Sequence, residues 1–265
     1  MITFRATSTP VGDQVLHDLS SMSAPGLPVV LVHGLAVSHR YLMPTARRLA
    51  ARHPVLVPDL PGFGHSTKPR RAYAVREHAA CLSAWLDARG LTRVCLAGHS
   101  FGAEVAARLA AIRPSAVAAL VLASPTTDPA ARSRTGLIRR WSADLFLEQP
   151  WQAPILARDV VDARPWRVLA TVGHSARNAI EDDLRRVTVR PLVLGGALDP
   201  VAPLRWRAQV AALTGGVSVT IPAAAHNVLT TSPRRSAAAI SAYLASGAAA
   251  TATAPDEEPT ASSGP

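Results

Sequence analysis

The chain has 265 residues, of which 48% are hydrophobic and 17% charged, so it can bury a large core and is not a wholly disordered polypeptide. Its net charge is +10, but the positive charge is scattered arginine, with Lys68 as the only lysine. The sequence has no run of Lys and Arg of the kind that contacts the phosphates of nucleic acids, and it has no nucleic-acid-binding motif. We therefore expect no nucleic-acid partner. We also expect no membrane span, since none of its apolar runs reaches the length of about 18 residues that a span needs.

The cellular compartment is indicated by two weaker features. Residues 1–10 lack the apolar region of a secretory signal. The two cysteines, Cys81 and Cys95, are too few for a disulfide scaffold, and both fall in apolar patterns where a buried free thiol is usual. These features predict a cytoplasmic protein, and they leave its oligomeric state unknown.

Short apolar runs alternate with helical patterns along the chain. The runs predicted to be buried strands lie at 29–32, 55–57, 94–97, 118–123, 191–195 and 217–221. Helices are predicted at 42–52, 73–89, 101–113 and 236–244. This alternation predicts an α/β protein with a mostly parallel, twisted sheet and helices on both faces.

The alternation of predicted strands and helices is interrupted between residues 125 and 188, where the sequence predicts no strand. This inserted segment has helix-like patterns at 136–148 and 176–186. We interpret it as a helical cap within a core of residues 1–124 and 189–245. Residues 246–265 are mostly Ala, Thr, Pro, Ser and Glu, and we expect them to form a disordered tail because they have little to bury.

The strongest chemical signal is Gly98-His99-Ser100-Phe101-Gly102, which follows a predicted strand and precedes a predicted helix. That is the setting of a G-x-S-x-G nucleophile elbow, in which glycines permit a tight turn that exposes the serine hydroxyl. Gly173-His174-Ser175 repeats the first three letters but lacks the second glycine and a preceding strand. We therefore predict Ser100 as the nucleophile and Ser175 as a surface or helix-cap serine.

A serine hydroxyl needs a base and an orienting acid. In this kind of fold the acid and then the histidine follow the serine along the chain. His226, after the sixth predicted strand, is the predicted base, and His174 in the inserted segment is the other downstream histidine. Asp199, after the fifth strand, is the predicted acid, with Asp128 after the fourth strand as its rival.

Acyl transfer also needs donors for the oxyanion. The backbone N–H of Phe101, directly after the serine, is one candidate. The N–H of Leu35, in the loop after the first core strand, is the other. His33 in the same loop is interpreted as a buried histidine that shapes it.

Taken together, His33-Gly34, the Asp59–Ser66 segment, the elbow, Asp199 and His226 resemble the α/β-hydrolase superfamily over roughly residues 25–245. The resemblance implies a serine hydrolase of the esterase or lipase kind that cleaves a small, apolar acyl substrate through an acyl-enzyme. It implies no cofactor and no metal. Ser100 stands where haloalkane dehalogenases and epoxide hydrolases have aspartate, which disfavours both of those activities.

Several alternatives stay open at this point. The same triad would serve an acyl transferase, a cyclase or a C–C bond hydrolase, and some members of the fold bind ligands without catalysis. Trp141, Trp151 and Trp166 are candidates for an apolar substrate pocket, or else for packing within the cap. The arginines of the cap would hold an acidic substrate, or else lie solvated on the surface.

Overall fold

The computed structural model describes residues 2–247, so the predicted tail lies outside the described residues from 248 onward. Eight strands form one sheet in the order β1-β2-β4-β3-β5-β6-β7-β8. The strands are β1 Arg5–Val11, β2 Gln14–Ser21, β3 Val29–Val32, β4 Val55–Pro58, β5 Val94–His99, β6 Val117–Ala123, β7 Leu192–Gly196 and β8 Val217–Ile221. All pairings from β4 to β8 are parallel, which confirms the predicted fold class.

Two antiparallel strands at one edge of the sheet were not predicted from the sequence. β1 and β2 form a hairpin, and β2 then pairs antiparallel with β4. Gly12 in the hairpin turn has a φ of 58°, a conformation that glycine adopts without strain. Buried and exposed residues alternate along β2, so the hairpin lacks the continuous apolar run that marks the central strands.

Helices cover both faces of the sheet. The helices outside the inserted segment are α1 His39–Leu49, α2 Val75–Ala88, α3 Phe101–Ile112, α8 Leu204–Thr214, α9 Val228–Thr231 and α10 Pro233–Ala245. α2, α3 and α8 supply one buried apolar cluster, and α1, α9 and α10 supply the other. α1 begins at His39, three residues before the predicted start, because the Ser38 side chain caps it by accepting from the backbone N–H of Arg40.

The described residues between β6 and β7 form helices and no strand. The longer ones are α4 Arg134–Leu145, α5 Ala153–Ala163, α6 Pro165–Ser175 and α7 Ile180–Leu184. The patterns at 136–148 and 176–186 correspond to α4 and α7, whereas α5 and α6 were not predicted. Pro154 and Pro165 lie in the first turns of these two helices, where a missing N–H costs little. Across residues 2–247, every helix is too short or too polar to cross a bilayer.

Candidate active site

Ser100 occupies a strained turn between β5 and α3. Its φ is 56° and its ψ is −122°, and its backbone N–H donates to the carbonyl of Ala123 at 2.9 Å. A Cβ at Gly98 would lie 2.1 Å from the carbonyl oxygen of Gly102, and one at Gly102 would lie 2.4 Å from that of Val32. Gly98 is therefore required for the start of α3 to fold back on the strand end, and Gly102 for the elbow to pack against β3. The surrounding contacts hold the serine in its unfavourable conformation.

Three of the residues selected from the sequence form a buried, hydrogen-bonded row. The Oγ of Ser100 lies 2.9 Å from Nε2 of His226. Nδ1 of His226 lies 3.1 Å from each carboxylate oxygen of Asp199. Asp199 follows β7, and its carboxylate also accepts the backbone N–H groups of Val201 and Ala202 at 2.8 and 2.9 Å. These bonds fix the carboxylate, and through it the imidazole ring.

The charges of this row are set by burial and by pairing. Burial alone raises the pKa of Asp199, but His226 and the backbone donors outweigh it and lower the pKa to about 2. Burial lowers the pKa of His226, but the carboxylates of Asp199, Asp144 and Glu148 outweigh it, so the pKa of His226 ends above its ordinary value. The site therefore combines an ionised carboxylate with a histidine that is a somewhat strengthened base.

The alternative acid and base lie elsewhere. Asp128 caps a short 3-10 turn by accepting the N–H of Ala130 at 3.0 Å, and it pairs with Arg140 at 2.8 Å and with Arg205 at 2.5 Å. His174 lies on α6, and its Nδ1 accepts a bond of 3.2 Å from Arg177. Neither residue lines the cavity at Ser100.

The prediction that Ser175 lies at the surface or caps a helix is wrong. It is the last residue of α6 and is only 2% exposed. Its Oγ donates to the buried carboxylate of Glu104 on α3 at 2.5 Å. The contact arises because the inserted segment packs onto α3, which sequence spacing does not show.

The two residues predicted to donate to the oxyanion belong to the same site as the serine. Leu35 lines the same cavity as Ser100, and Phe101 is the first residue of α3, where a backbone N–H has no intrahelical acceptor. His33 is fully buried, donates from Nδ1 to the carbonyl of Gly34 at 2.7 Å and accepts the N–H of Leu60 at Nε2 at 2.9 Å. It thus ties the Leu35 loop to the turn that follows β4, as interpreted from the sequence.

A cavity of about 350 Å³ opens over Ser100. Its walls are mostly apolar and come from the core loops and from α4, α5 and α6; they include Leu35, Val37, Ile138, Trp141, Leu156 and Val168. Trp141 meets the prediction of a pocket tryptophan. Trp151 and Trp166 do not: they lie outside the cavity and are 52% and 45% exposed, because their helices turn them towards solvent.

Two acidic residues and an amide were missed by the sequence reasoning. Asp144, on α4, accepts the backbone N–H of His226 through Oδ1 at 3.2 Å. Glu148 accepts the backbone N–H of Asn227 through Oε1 at 2.6 Å. Asp144, Glu148 and Asn227 all line the cavity. The four-residue spacing of the carboxylates was the sole sequence signal, and it is common on solvated helices.

One cluster outside the cavity has side chains that ligate metals. The ring nitrogens of His17 and His39 and a carboxylate oxygen of Asp59 lie within 4.8 Å of one another. Asp59 already accepts the backbone N–H groups of His39 and His65, at 2.7 and 2.9 Å, and the ring of His39. We interpret this cluster as the organiser of the turn after β4.

With this fold and this site, the chain belongs to the α/β-hydrolase fold family, whose model matches residues 28–160. A model described as TAP-like protein matches residues 166–255. A haloalkane dehalogenase of Mycobacterium marinum is 35% identical over 133 residues, which are 49% of this chain and 44% of that protein. One of Mycolicibacterium paratuberculosis is 32% identical over 131 residues, 48% of this chain and 44% of that protein. The chain thus aligns with less than half the length of these curated relatives.

Solved structures share the fold across most of the chain. A thermophilic esterase from Thermogutta terrifontis superposes with a TM-score of 0.76 at 24% identity, covering 92% of this chain and 99% of the esterase. An enol-lactonase from Burkholderia xenovorans LB400 superposes with a TM-score of 0.78 at 18% identity, covering 90% and 100%. At these identities the likeness concerns the fold alone.

Proposed function

We propose that the chain is a serine hydrolase that cleaves an ester or related acyl bond of a small substrate through an acyl-enzyme. The observation that carries the proposal is the 2.9 Å contact between Ser100 Oγ and His226 Nε2, on a histidine that is itself bonded to Asp199. A nucleophile, a base and an orienting acid in hydrogen-bonded sequence are the requirements of acyl transfer.

The reaction has two steps. Ser100 Oγ attacks the acyl carbonyl while His226 Nε2 takes its proton and then passes that proton to the departing alcohol. The backbone N–H groups of Leu35 and Phe101 stabilise the oxyanion. Water, deprotonated by His226, then attacks the acyl-serine, and the released acid restores Ser100.

We also propose that the inserted segment, residues 125–188, is a cap that selects the substrate. The support is that α4, α5 and α6 contribute much of the wall of the cavity, whereas the row of Ser100, His226 and Asp199 comes from core loops. A cap that covers the reacting bond excludes water and shapes the acyl site. The division into core and cap, like the cytoplasmic location, stays a prediction.

A second candidate activity is dehalogenation, which the similarity to two haloalkane dehalogenases favours. The chemistry of Ser100 argues against it. A serine hydroxyl that displaced a halide from carbon would form an alkyl ether, which has no carbonyl for water to attack. The enzyme would stop after one turnover, whereas an acylated serine is released by hydrolysis.

Labelling with a fluorophosphonate tests the nucleophile. We expect the peptide that contains Ser100 to be modified, and we expect Ser100→Ala to abolish both labelling and the hydrolysis of p-nitrophenyl butanoate. Ser175→Ala is the matched control and should still be labelled. Modification of Ser175 in place of Ser100 would refute the proposal. Analysis of the products in the presence of an added alcohol separates hydrolysis from acyl transfer.

A further inference from the structure

The charge of the cavity is opposite to that of the whole chain. The chain carries a net charge of +10. Yet the described residues that line the cavity include no arginine and no lysine, while Asp144 and Glu148 contribute two carboxylates. The suggestion from the sequence that cap arginines hold an acidic substrate is therefore not supported by the wall of this cavity.

These two carboxylates also differ from the other acidic side chains of the inserted segment. Asp159 pairs with Arg40 at 2.5 Å, and Asp183 pairs with Arg108 at 2.9 Å. In the part of the chain that the structure describes, Asp144 and Glu148 take part in no salt bridge. Neutral groups bond to them instead: two backbone N–H groups and, for Glu148, the side-chain amide of Gln152 at 2.7 Å.

An ionised carboxylate as buried as that of Asp144 is unfavourable when the cavity is dry. A charge that is removed from water and lacks a counter-charge carries a large desolvation cost. Asp144 shows this cost: its burial, opposed in part by the charge of His226 and reinforced by Glu148, raises its pKa to about 6. A cation that enters the cavity with an apolar body would offset the cost, and a substrate that carries a carboxylate would increase it.

We propose that this cavity selects esters that carry a positively charged, alkylated ammonium group, with Asp144 and Glu148 as the residues that determine this specificity. The inference rests on the proposed function, since it names the substrate class of the same site. The aromatic rings of Tyr41 and Trp141 also line the cavity, and aromatic faces attract ammonium groups. The apolar wall formed by residues such as Leu35, Val37 and Ile138 accommodates the carbon skeleton.

The two carboxylates lie near the place where the scissile acyl bond would bind. Both bond to the backbone of the loop that holds the catalytic histidine: Asp144 to His226 itself and Glu148 to Asn227. A bound ammonium group therefore lies close to the row of Ser100, His226 and Asp199. If the acyl part is uncharged, the acid product is an anion, and the same carboxylates repel it and favour its release.

Isosteric ester pairs that differ only in charge test the inference. The acyl-side pair is the p-nitrophenyl esters of 4-(trimethylammonio)butanoate and 5,5-dimethylhexanoate. The alcohol-side pair is choline butanoate and 3,3-dimethylbutyl butanoate. At pH 8 we expect kcat/KM for the cationic member of at least one pair to exceed that of its neutral isostere by about tenfold or more, the scale of a close charge pair.

Substitutions of Asp144 and Glu148 test whether these carboxylates cause the preference for cationic esters. The double variant Asp144→Asn and Glu148→Gln keeps the shape and an acceptor oxygen at each position. In this variant, the ratio of kcat/KM for the cationic ester to kcat/KM for its neutral isostere should fall to about one, while the neutral ester is still hydrolysed. Asp182→Asn, which removes an exposed charge paired with Arg185, should leave the ratio unchanged. A wild-type ratio of one or less in both pairs, or a ratio that survives the double variant, overturns the inference.

A binding measurement distinguishes failure of this inference from failure of the proposed function. If no ester is hydrolysed, the proposed function fails, and calorimetry with tetramethylammonium chloride then decides the inference. Binding to the wild-type chain that the double variant abolishes would support a cation site. Failure of the ion to bind, or binding that the double variant retains, would overturn it.

Discussion

Ser175, at the end of α6, donates a hydrogen bond of 2.5 Å to Glu104 on α3, the helix that begins directly after Ser100. Thr126 and Asn178 donate to the same carboxyl at 2.6 and 2.8 Å. Glu104 thus joins the inserted segment to the core at one buried point. Because Glu104 is fully buried, its pKa rises to about 7 despite these three donors.

The raised pKa of Glu104 predicts that stability falls as the pH rises from about 4.5 to about 7. Between its unfolded-state pKa, near 4.5, and about 7, the folded chain binds more protons than the unfolded chain, so the free energy of unfolding falls as pH rises. We expect Glu104→Gln, which cannot ionise at this position, to be less sensitive than the wild type to a change from pH 5 to pH 8 in urea denaturation. An equal loss of stability in both proteins would contradict this role for Glu104.

The proposed role of Asp199 as the orienting acid is tested by paired substitutions. Asp199→Asn should lower kcat by several powers of ten, on the order of 10⁴-fold, because the amide favours the wrong imidazole tautomer. Asp128→Asn should leave kcat near the wild-type value and lower the melting temperature, because it weakens the pairs with Arg140 and Arg205. Rates with p-nitrophenyl butanoate and thermal melts measure both effects. The assignment fails if Asp128→Asn costs more activity than Asp199→Asn.

The pH dependence of kcat/KM should report the pKa of His226. The base must be neutral, so activity should be lost as pH falls through that pKa, which lies above the ordinary value for histidine. Asp144 is one of the carboxylates that raise it. We therefore expect Asp144→Asn to move the acid limb of the profile to lower pH, with Asp182→Asn as a control that leaves it in place. An acid limb that moves to higher pH in Asp144→Asn would show that this carboxylate does not stabilise the imidazolium.

Trp141 and Trp151 provide a matched test of the cavity. Trp141 lines it, whereas Trp151 is 52% exposed and lies outside it. Trp141→Ala should change the relative kcat/KM among p-nitrophenyl esters of increasing acyl length, by roughly 1–3 kcal/mol per lost methylene-sized contact. Trp151→Ala should preserve the ranking of those esters. If both variants keep the wild-type ranking, Trp141 does not select the acyl chain.

The sequence by itself determined the central sheet and the identities of Ser100, Asp199 and His226 as candidates. Both depend on local chemistry. Continuous apolar runs mark strands that are buried on two faces, and the spacing of Gly98 and Gly102 around Ser100 reflects the sterics of a single turn. The acid and the histidine follow the last two strands, and the carboxyl ends of parallel strands lie at one edge of the sheet.

Tertiary structure alone determined which residues line the cavity and how the inserted segment packs onto α3. In the sequence, Asp144 and Glu148 resemble ordinary acidic residues on a solvated helix. In the structure, their carboxylates bond to the loop that holds His226. Ser175 is buried against Glu104, whereas Trp166 is left 45% exposed, although the sequence suggested the reverse for both. Half-buried strands such as β2 and the packing of helices depend on contacts between residues far apart in the chain, which local periodicity does not encode.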